Sequence, residues 1–138
     1  MKNAAGKILY VGKAANLKRR VMSYFERPQE MRIGKMVSEV SRVDVQETDT
    51  VIEALILEAR LIKKYQPQYN VLEKDDRSFL YVVIPREKFP RVLLLREREA
   101  LSHDKPLGRF GPFTSAASLR EAMHILRRIF PYSTHELQ

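Results

Sequence analysis

The sequence predicts an α+β fold: a small antiparallel sheet flanked by helices, followed by a hairpin and a C-terminal helix. Three observations predict it. Short runs rich in β-branched and aromatic residues (8–11, 79–84 and 92–95) read as strands. Longer stretches with apolar residues at three-to-four spacing, bounded by cap and stop residues, read as helices. The 138 residues, 44% hydrophobic and 30% charged, suit one compact domain or a domain with an appended subdomain.

In chain order, Ile8-Leu9-Tyr10-Val11 is a short strand ended by Gly12. Asn16 is positioned to cap a helix from Leu17 to about Phe25, and Pro28 stops it. A second helix covers Gln29 to about Val40, with Ile33, Met36, Val37 and Val40 on its apolar side. Residues 42–47 alternate, Val43 and Val45 against Asp44 and Gln46, and read as a half-buried strand. The clearest helix is 51–65. Thr50 with Glu53 forms a capping box, Lys63 and Lys64 suit the C-terminal dipole, and Pro67 ends it. A polar connector, 73–78, then marks a boundary, giving a core over 1–75 and a hairpin-plus-helix extension over 76–138 packed on it. In the extension, 79–84 and 92–95 read as two buried strands around a turn at 85–91. Phe110-Gly-Pro-Phe113 reads as a rigid bend. A last helix runs from about Ser115 to Phe130, with Leu119, Met123, Leu126 and Phe130 as one stripe.

Composition excludes several classes. With no cysteine there is no disulfide scaffold, thiolate metal site or Cys nucleophile in this chain. No run of roughly 18 apolar residues marks a membrane span. The N-terminus lacks the apolar stretch of a signal peptide, so a cytoplasmic setting is expected. The formal net charge is +8, which favours a polyanionic partner, most simply nucleic acid. The charge is concentrated: residues 13–35 hold Lys13, Lys18, Arg19, Arg20, Arg27, Arg32 and Lys35 against only Glu26 and Glu30.

One residue breaks the apolar pattern. Along 51–65, positions 51, 55, 58, 62 and 65 share a face, and Glu58 stands among Val51, Leu55, Ile62 and Tyr65. A carboxylate on a core-facing stripe is costly unless partnered. It either pairs with an arginine, reaches solvent with its head, or serves as a metal ligand or acid/base group at the floor of a cleft. A second constellation is Tyr10, Lys13, Arg20 and Tyr24, which converge if the first strand and helix pack together. Arginine binds phosphate oxygens bidentately, and lysine adds a compact charge. A tyrosine with its ordinary pKa of about 10 is a poor base at neutral pH, and nearby cations would lower that value. The bland reading makes Tyr10 a core aromatic and Arg20 solvated surface.

These residues carry a resemblance. LYVGKAANLKRRVMSYF, then EALILEARLIKKYQPQYNV, KDDRSFLYV, FPRV and FGPFTSA, closely resemble the UvrC branch of the GIY-YIG nuclease family over nearly all 138 residues. The resemblance implies a metal-dependent DNA endonuclease making the 3′-side incision in nucleotide excision repair. It implies that Tyr10 is a base or positions the nucleophile, with Lys13, Arg20, Tyr24 and Asn70 as further catalytic residues. It implies that Glu58 binds a single Mg²⁺ or Mn²⁺ ion. Lys13, Lys18, Arg19, Arg20 and Lys35 are then DNA-binding. The implied partners are damaged double-stranded DNA and a UvrB-type helicase subunit, the latter through regions outside this chain, with no membrane. The family begins with a strand carrying the GIY half of its signature. Here residues 1–6 lead directly to the second strand, so that strand is expected to be absent. A non-catalytic DNA-binding remnant is the alternative function, and a purely structural module a further one.

Other candidates are weaker. His103, His124 and His135 lack metal-ligand spacing. Arg120, His124, Arg127 and Arg128 form the polar side of the last helix, read first as a solvated face and second as a phosphate-contacting patch. Asp75 and Asp76 read as solvated loop, and Ser115 and Ser118 as helix caps.

Overall fold

A computed structural model describes residues 1–26, 30–71 and 79–135. The chain forms two compact units, Met1–Glu73 and Lys74–Gln138. The expected connector at 73–78, with Asp75 and Asp76, lies outside the described residues, as does Arg27. Among the described residues no helix is long and apolar enough to cross a membrane.

The first unit is built on helices α1 (Leu17–Glu26), α2 (Met31–Glu39), α3 (Val51–Tyr65) and the short α4 (Gln68–Val71). Asn16 caps α1 as expected: its Oδ1 accepts the Arg19 N–H at 2.9 Å. The capping box of α3 is present, Thr50 Oγ1 accepting from Glu53 N–H and Glu53 Oε2 accepting from Thr50 N–H. At its other end Gln66 turns into the left-handed region, φ 41°, and its side-chain amide donates to the carbonyls of Ile62 and Lys63. The core joins Leu9, Tyr24, Met36 and Tyr69, with Ile33, Val37 and Val40 packed against them.

Two expectations for this unit are corrected. Residues 8–11 are extended but bear only an isolated bridge at Ile8, and 42–47 only a bridge at Arg42. A strand needs a partner along its length. Residues 43–47 show none among the described residues, and Val45 is exposed. The first residues also do more than lead into residue 8. Lys2 bridges Ile8 on one side and Arg42 on the other, so residues 1–3 occupy a place between the two segments. Lys2 N–H donates to Arg42 C=O at 2.8 Å, and the Lys2 ammonium lies 2.7 Å from Asp44.

The second unit holds the regular three-stranded antiparallel sheet, in the order β2-β1-β3, from β1 (Leu80–Ile84), β2 (Leu93–Arg96) and β3 (Gly108–Phe113). Tyr81 pairs with Leu95, and Val83 with Leu93 and Arg109. The predicted hairpin is therefore present, but β2 alternates between half-buried and exposed residues rather than being buried. The expected bend at 110–113 is instead the end of β3, where the register against β1 shifts between Leu80 and Val82. Gly111 is needed there: its φ is 141°, and a Cβ would stand 2.7 Å from the Tyr81 ring. Helix α5 (Glu97–Ser102), unpredicted, buries Ala100. Helix α6 (Ala116–Ile129) starts at the Ser115 cap and buries Leu119 and Ala122. Phe130, expected on the buried stripe, is the C-cap residue, 66% exposed, because the helix ends before it.

Candidate functional site

The site is organised by the extended segment 8–13. On one side it meets residues 1–3, Leu9 N–H donating to Met1 C=O at 3.0 Å, and groups from α3 and α4 hold its alternate residues Leu9, Val11 and Lys13. Tyr69 N–H donates to Leu9 C=O at 3.0 Å. Asn70 takes both backbone groups of Val11: its Oδ1 accepts the N–H, and its Nδ2 donates to the C=O, each at 2.8 Å. The Glu58 carboxylate accepts the Lys13 N–H at 3.2 Å. Three residues from two successive helices thus satisfy four backbone groups of the segment, and they fix the stretch that bears Tyr10 and Lys13.

Glu58 is buried at 6% exposure, on the face that also buries Leu55, Ala59 and Ile62. The pattern break read from the sequence is real. The outer members of that stripe, Val51 and Tyr65, are exposed, so Glu58 sits at the centre of the buried portion. Asn70, 2% exposed, is equally buried.

Tyr10 meets Tyr24 edge-to-face, with ring centroids 5.8 Å apart and planes at 64°. One turn earlier on α1, the Arg20 guanidinium lies over the Tyr24 ring at 5.1 Å, and both Tyr24 and Arg20 act on the Tyr10 hydroxyl. Gly12 makes room for this. A Cβ at residue 12 would stand 2.8–2.9 Å from Tyr10 Cε1 and hydroxyl. The electrostatics correct one expectation. Burial pushes the Tyr10 phenol well above its ordinary pKa, and the Tyr24 hydroxyl adds to the rise; Arg20 pulls downward without offsetting them. Tyr10 is a neutral phenol at physiological pH.

The structure therefore brings Tyr10, Arg20 and Tyr24 together, and ties Lys13, Glu58 and Asn70 to the same segment. Lys18, Arg19 and Lys35 are exposed on α1 and α2, away from these contacts. Tyr69, which sequence reasoning did not single out, is 2% exposed, and its hydroxyl donates to Glu39 at 3.0 Å. No local signal pairs two residues 30 positions apart. Among the described residues there is no cluster of three or more His, Asp or Glu that could cage a metal. A single buried carboxylate fits a hard divalent ion that keeps most of its own waters.

A search against known families matches residues 1–71 to the UvrC-like GIY-YIG domain, and the chain belongs to that family. Over its length it is similar to the UvrABC system protein C of several bacteria. It is 45% identical over 134 residues to that of Hydrogenovibrio crunogenus, covering 95% of this chain and 21% of the relative. It is 43% identical over 140 residues to that of Chlorobium phaeobacteroides (99% and 21%), and 45% identical over 137 residues to that of Moorella thermoacetica (97% and 21%). The chain spans about a fifth of the length of these relatives.

Proposed function

We propose that this chain is a metal-dependent DNA endonuclease module that makes the 3′-side incision in nucleotide excision repair. The observation that carries the reading is the buried Glu58 carboxylate, hydrogen-bonded to the same short segment that presents Tyr10 and Lys13. Family membership supports it. Glu58 would hold one Mg²⁺ or Mn²⁺ ion, which when bound supplies Lewis-acid charge stabilisation and support for the leaving group.

The chain's own groups do the rest. Arg20, held over Tyr24, offers its guanidinium to the non-bridging oxygens of the scissile phosphate and to the charge that grows on them. Lys13 adds a compact positive charge. Tyr10, kept neutral, orients the attacking water through its hydroxyl rather than removing a proton. Tyr24 holds Tyr10 and Arg20 in place. Among the described residues the Asn70 side chain hydrogen-bonds to backbone, so its part is positioning, through Val11. The exposed Lys18, Arg19 and Lys35 attract the DNA backbone. Damaged duplex DNA is the substrate, delivered with a UvrB-type subunit that binds regions outside this chain, in the cytoplasm.

A non-catalytic DNA-binding role is the second reading. It is favoured by the first unit, which among the described residues holds isolated bridges but no regular strand. Nicking of supercoiled plasmid with Mg²⁺ or Mn²⁺, abolished by Glu58→Ala in a protein that still folds, would support the nuclease. DNA binding without nicking, in a folded parent chain, would favour the second reading.

A further inference from the structure

The polar face of α6 in the second unit is the place where charge is left without an explanation. Over residues 79–135 there are ten Lys and Arg against five Asp and Glu, so these residues also carry a net positive charge. On α6, at about 100° per residue, Arg120, His124, Arg127 and Arg128 fall within an arc of roughly 100°. All four are exposed. Ala117, also exposed, lies within the same arc and leaves it low at its N-terminal end. The arc runs about 12 Å along the helix from Arg120 to Arg128.

Two ordinary explanations do not cover this face. The helix dipole favours Arg127 and Arg128 in the last turn, but Arg120 is the fifth residue of α6, toward the end where the dipole offers a cation nothing. A solvated face usually mixes signs. Here the one acid of the helix, Glu121, lies at the edge of the arc. None of the three arginines is in an ion pair among the described residues. One is also pre-ordered: the Arg127 guanidinium lies 5.7 Å from the Tyr132 ring centroid, and the Tyr132 hydroxyl is fixed by donating to Met123 C=O at 2.9 Å. A stacked guanidinium keeps its in-plane donors available for a phosphate.

We infer that this face of α6 is a second nucleic-acid contact, in which Arg120, Arg127 and Arg128 bind the sugar–phosphate backbone of duplex DNA independently of the Tyr10–Glu58 site. The inference rests on the reading of the chain as a DNA-binding nuclease and adds a surface to it. Each arginine placed on a phosphate releases counterions, so the contact is written in the salt dependence of binding.

The test is fluorescence anisotropy of a labelled duplex of about 30 base pairs with the whole chain, from about 50 to 200 mM salt. The variants are R120Q/R127Q/R128Q, R120Q/R128Q and, as a charge-matched control on exposed arginines of the same unit, R86Q/R98Q. Glutamine keeps the helix propensity, and circular dichroism confirms the fold. The double variant spares the Arg127–Tyr132 stack, so it decides the matter if the triple variant misfolds. The expected slope of log K against log salt falls by about 1.8 in R120Q/R128Q and about 2.7 in the triple variant, and little in R86Q/R98Q. An unchanged slope in R120Q/R128Q, or an equal fall in R86Q/R98Q, overturns the inference while leaving DNA binding by the chain intact. A parent chain that binds no duplex at low salt overturns both.

Discussion

The side chain of Asn70 grips the backbone of Val11 at two points, accepting its N–H and donating to its C=O, each at 2.8 Å across 59 residues of sequence. An amide side chain here does what a neighbouring strand does elsewhere. Breaking both bonds leaves two peptide groups short of partners in a partly buried place. Asn70→Ala is expected to cost about 2–4 kcal/mol in urea unfolding. Asn70→Asp keeps the acceptor but sets an oxygen against the Val11 carbonyl, and is expected to lose at least as much. A loss below about 0.5 kcal/mol in Asn70→Ala would show that the clamp is dispensable.

The phenol of Tyr10 gives a pH signature. Its pKa is raised on folding by burial, with the Tyr24 hydroxyl adding to the rise. Above about pH 10 the unfolded chain releases this proton while the folded chain retains it, so stability falls as pH rises. The contribution is complete below that pH and lost through the higher folded-state pKa. Tyr10→Phe has no proton to lose. Its unfolding midpoint should decline less steeply than the parent's from pH 10 upward, and parallel declines would contradict the burial of the hydroxyl.

Gly12 is a steric prediction. In Gly12→Ala the new methyl meets the far end of the Tyr10 ring, which packs edge-to-face with Tyr24. The ring has to move. Nicking is expected to fall by at least about tenfold while stability drops by only about 1–2 kcal/mol, the range for mild overpacking. Equal nicking by the variant and the parent would remove Tyr10 from the working site.

Arg20→Lys keeps the charge and loses the flat guanidinium that lies over Tyr24. Because Arg20 is exposed, unfolding should change by less than about 1 kcal/mol. Single-turnover nicking should fall by at least about tenfold, and a lysine variant as fast as the parent would reduce Arg20 to a general cation.

What the sequence made legible was local. The Thr50–Glu53 box, the Asn16 and Ser115 caps and the proline stops gave α1, α3 and α6 to within a residue or two, because capping uses side chains three positions apart. Glu58 stood out because helical spacing exposes a carboxylate among apolar neighbours. The misses were non-local. Residues 8–11 look like a strand, yet beyond the bonds of Leu9 and Tyr10 to Met1 their hydrogen bonds go to Tyr69 and Asn70, and no pattern in 8–11 announces partners about 60 residues away. The phenol of Tyr10 is protonated because it is buried against Tyr24, and burial of a tyrosine is a property of packing. Phe130 kept the spacing of the α6 stripe, but spacing past a helix end has no meaning.

The account turns on Glu58 being buried for chemistry rather than for stability, and Glu58→Gln measures that directly. Glutamine preserves the side-chain oxygen that accepts the Lys13 N–H and removes a charge that burial disfavours. The prediction is an unfolding free energy within about 1 kcal/mol of the parent, together with Mg²⁺-dependent plasmid nicking reduced by at least about a hundredfold. A variant that nicks as well as the parent, or that loses several kcal/mol of stability, would contradict the assignment and make Glu58 a structural residue.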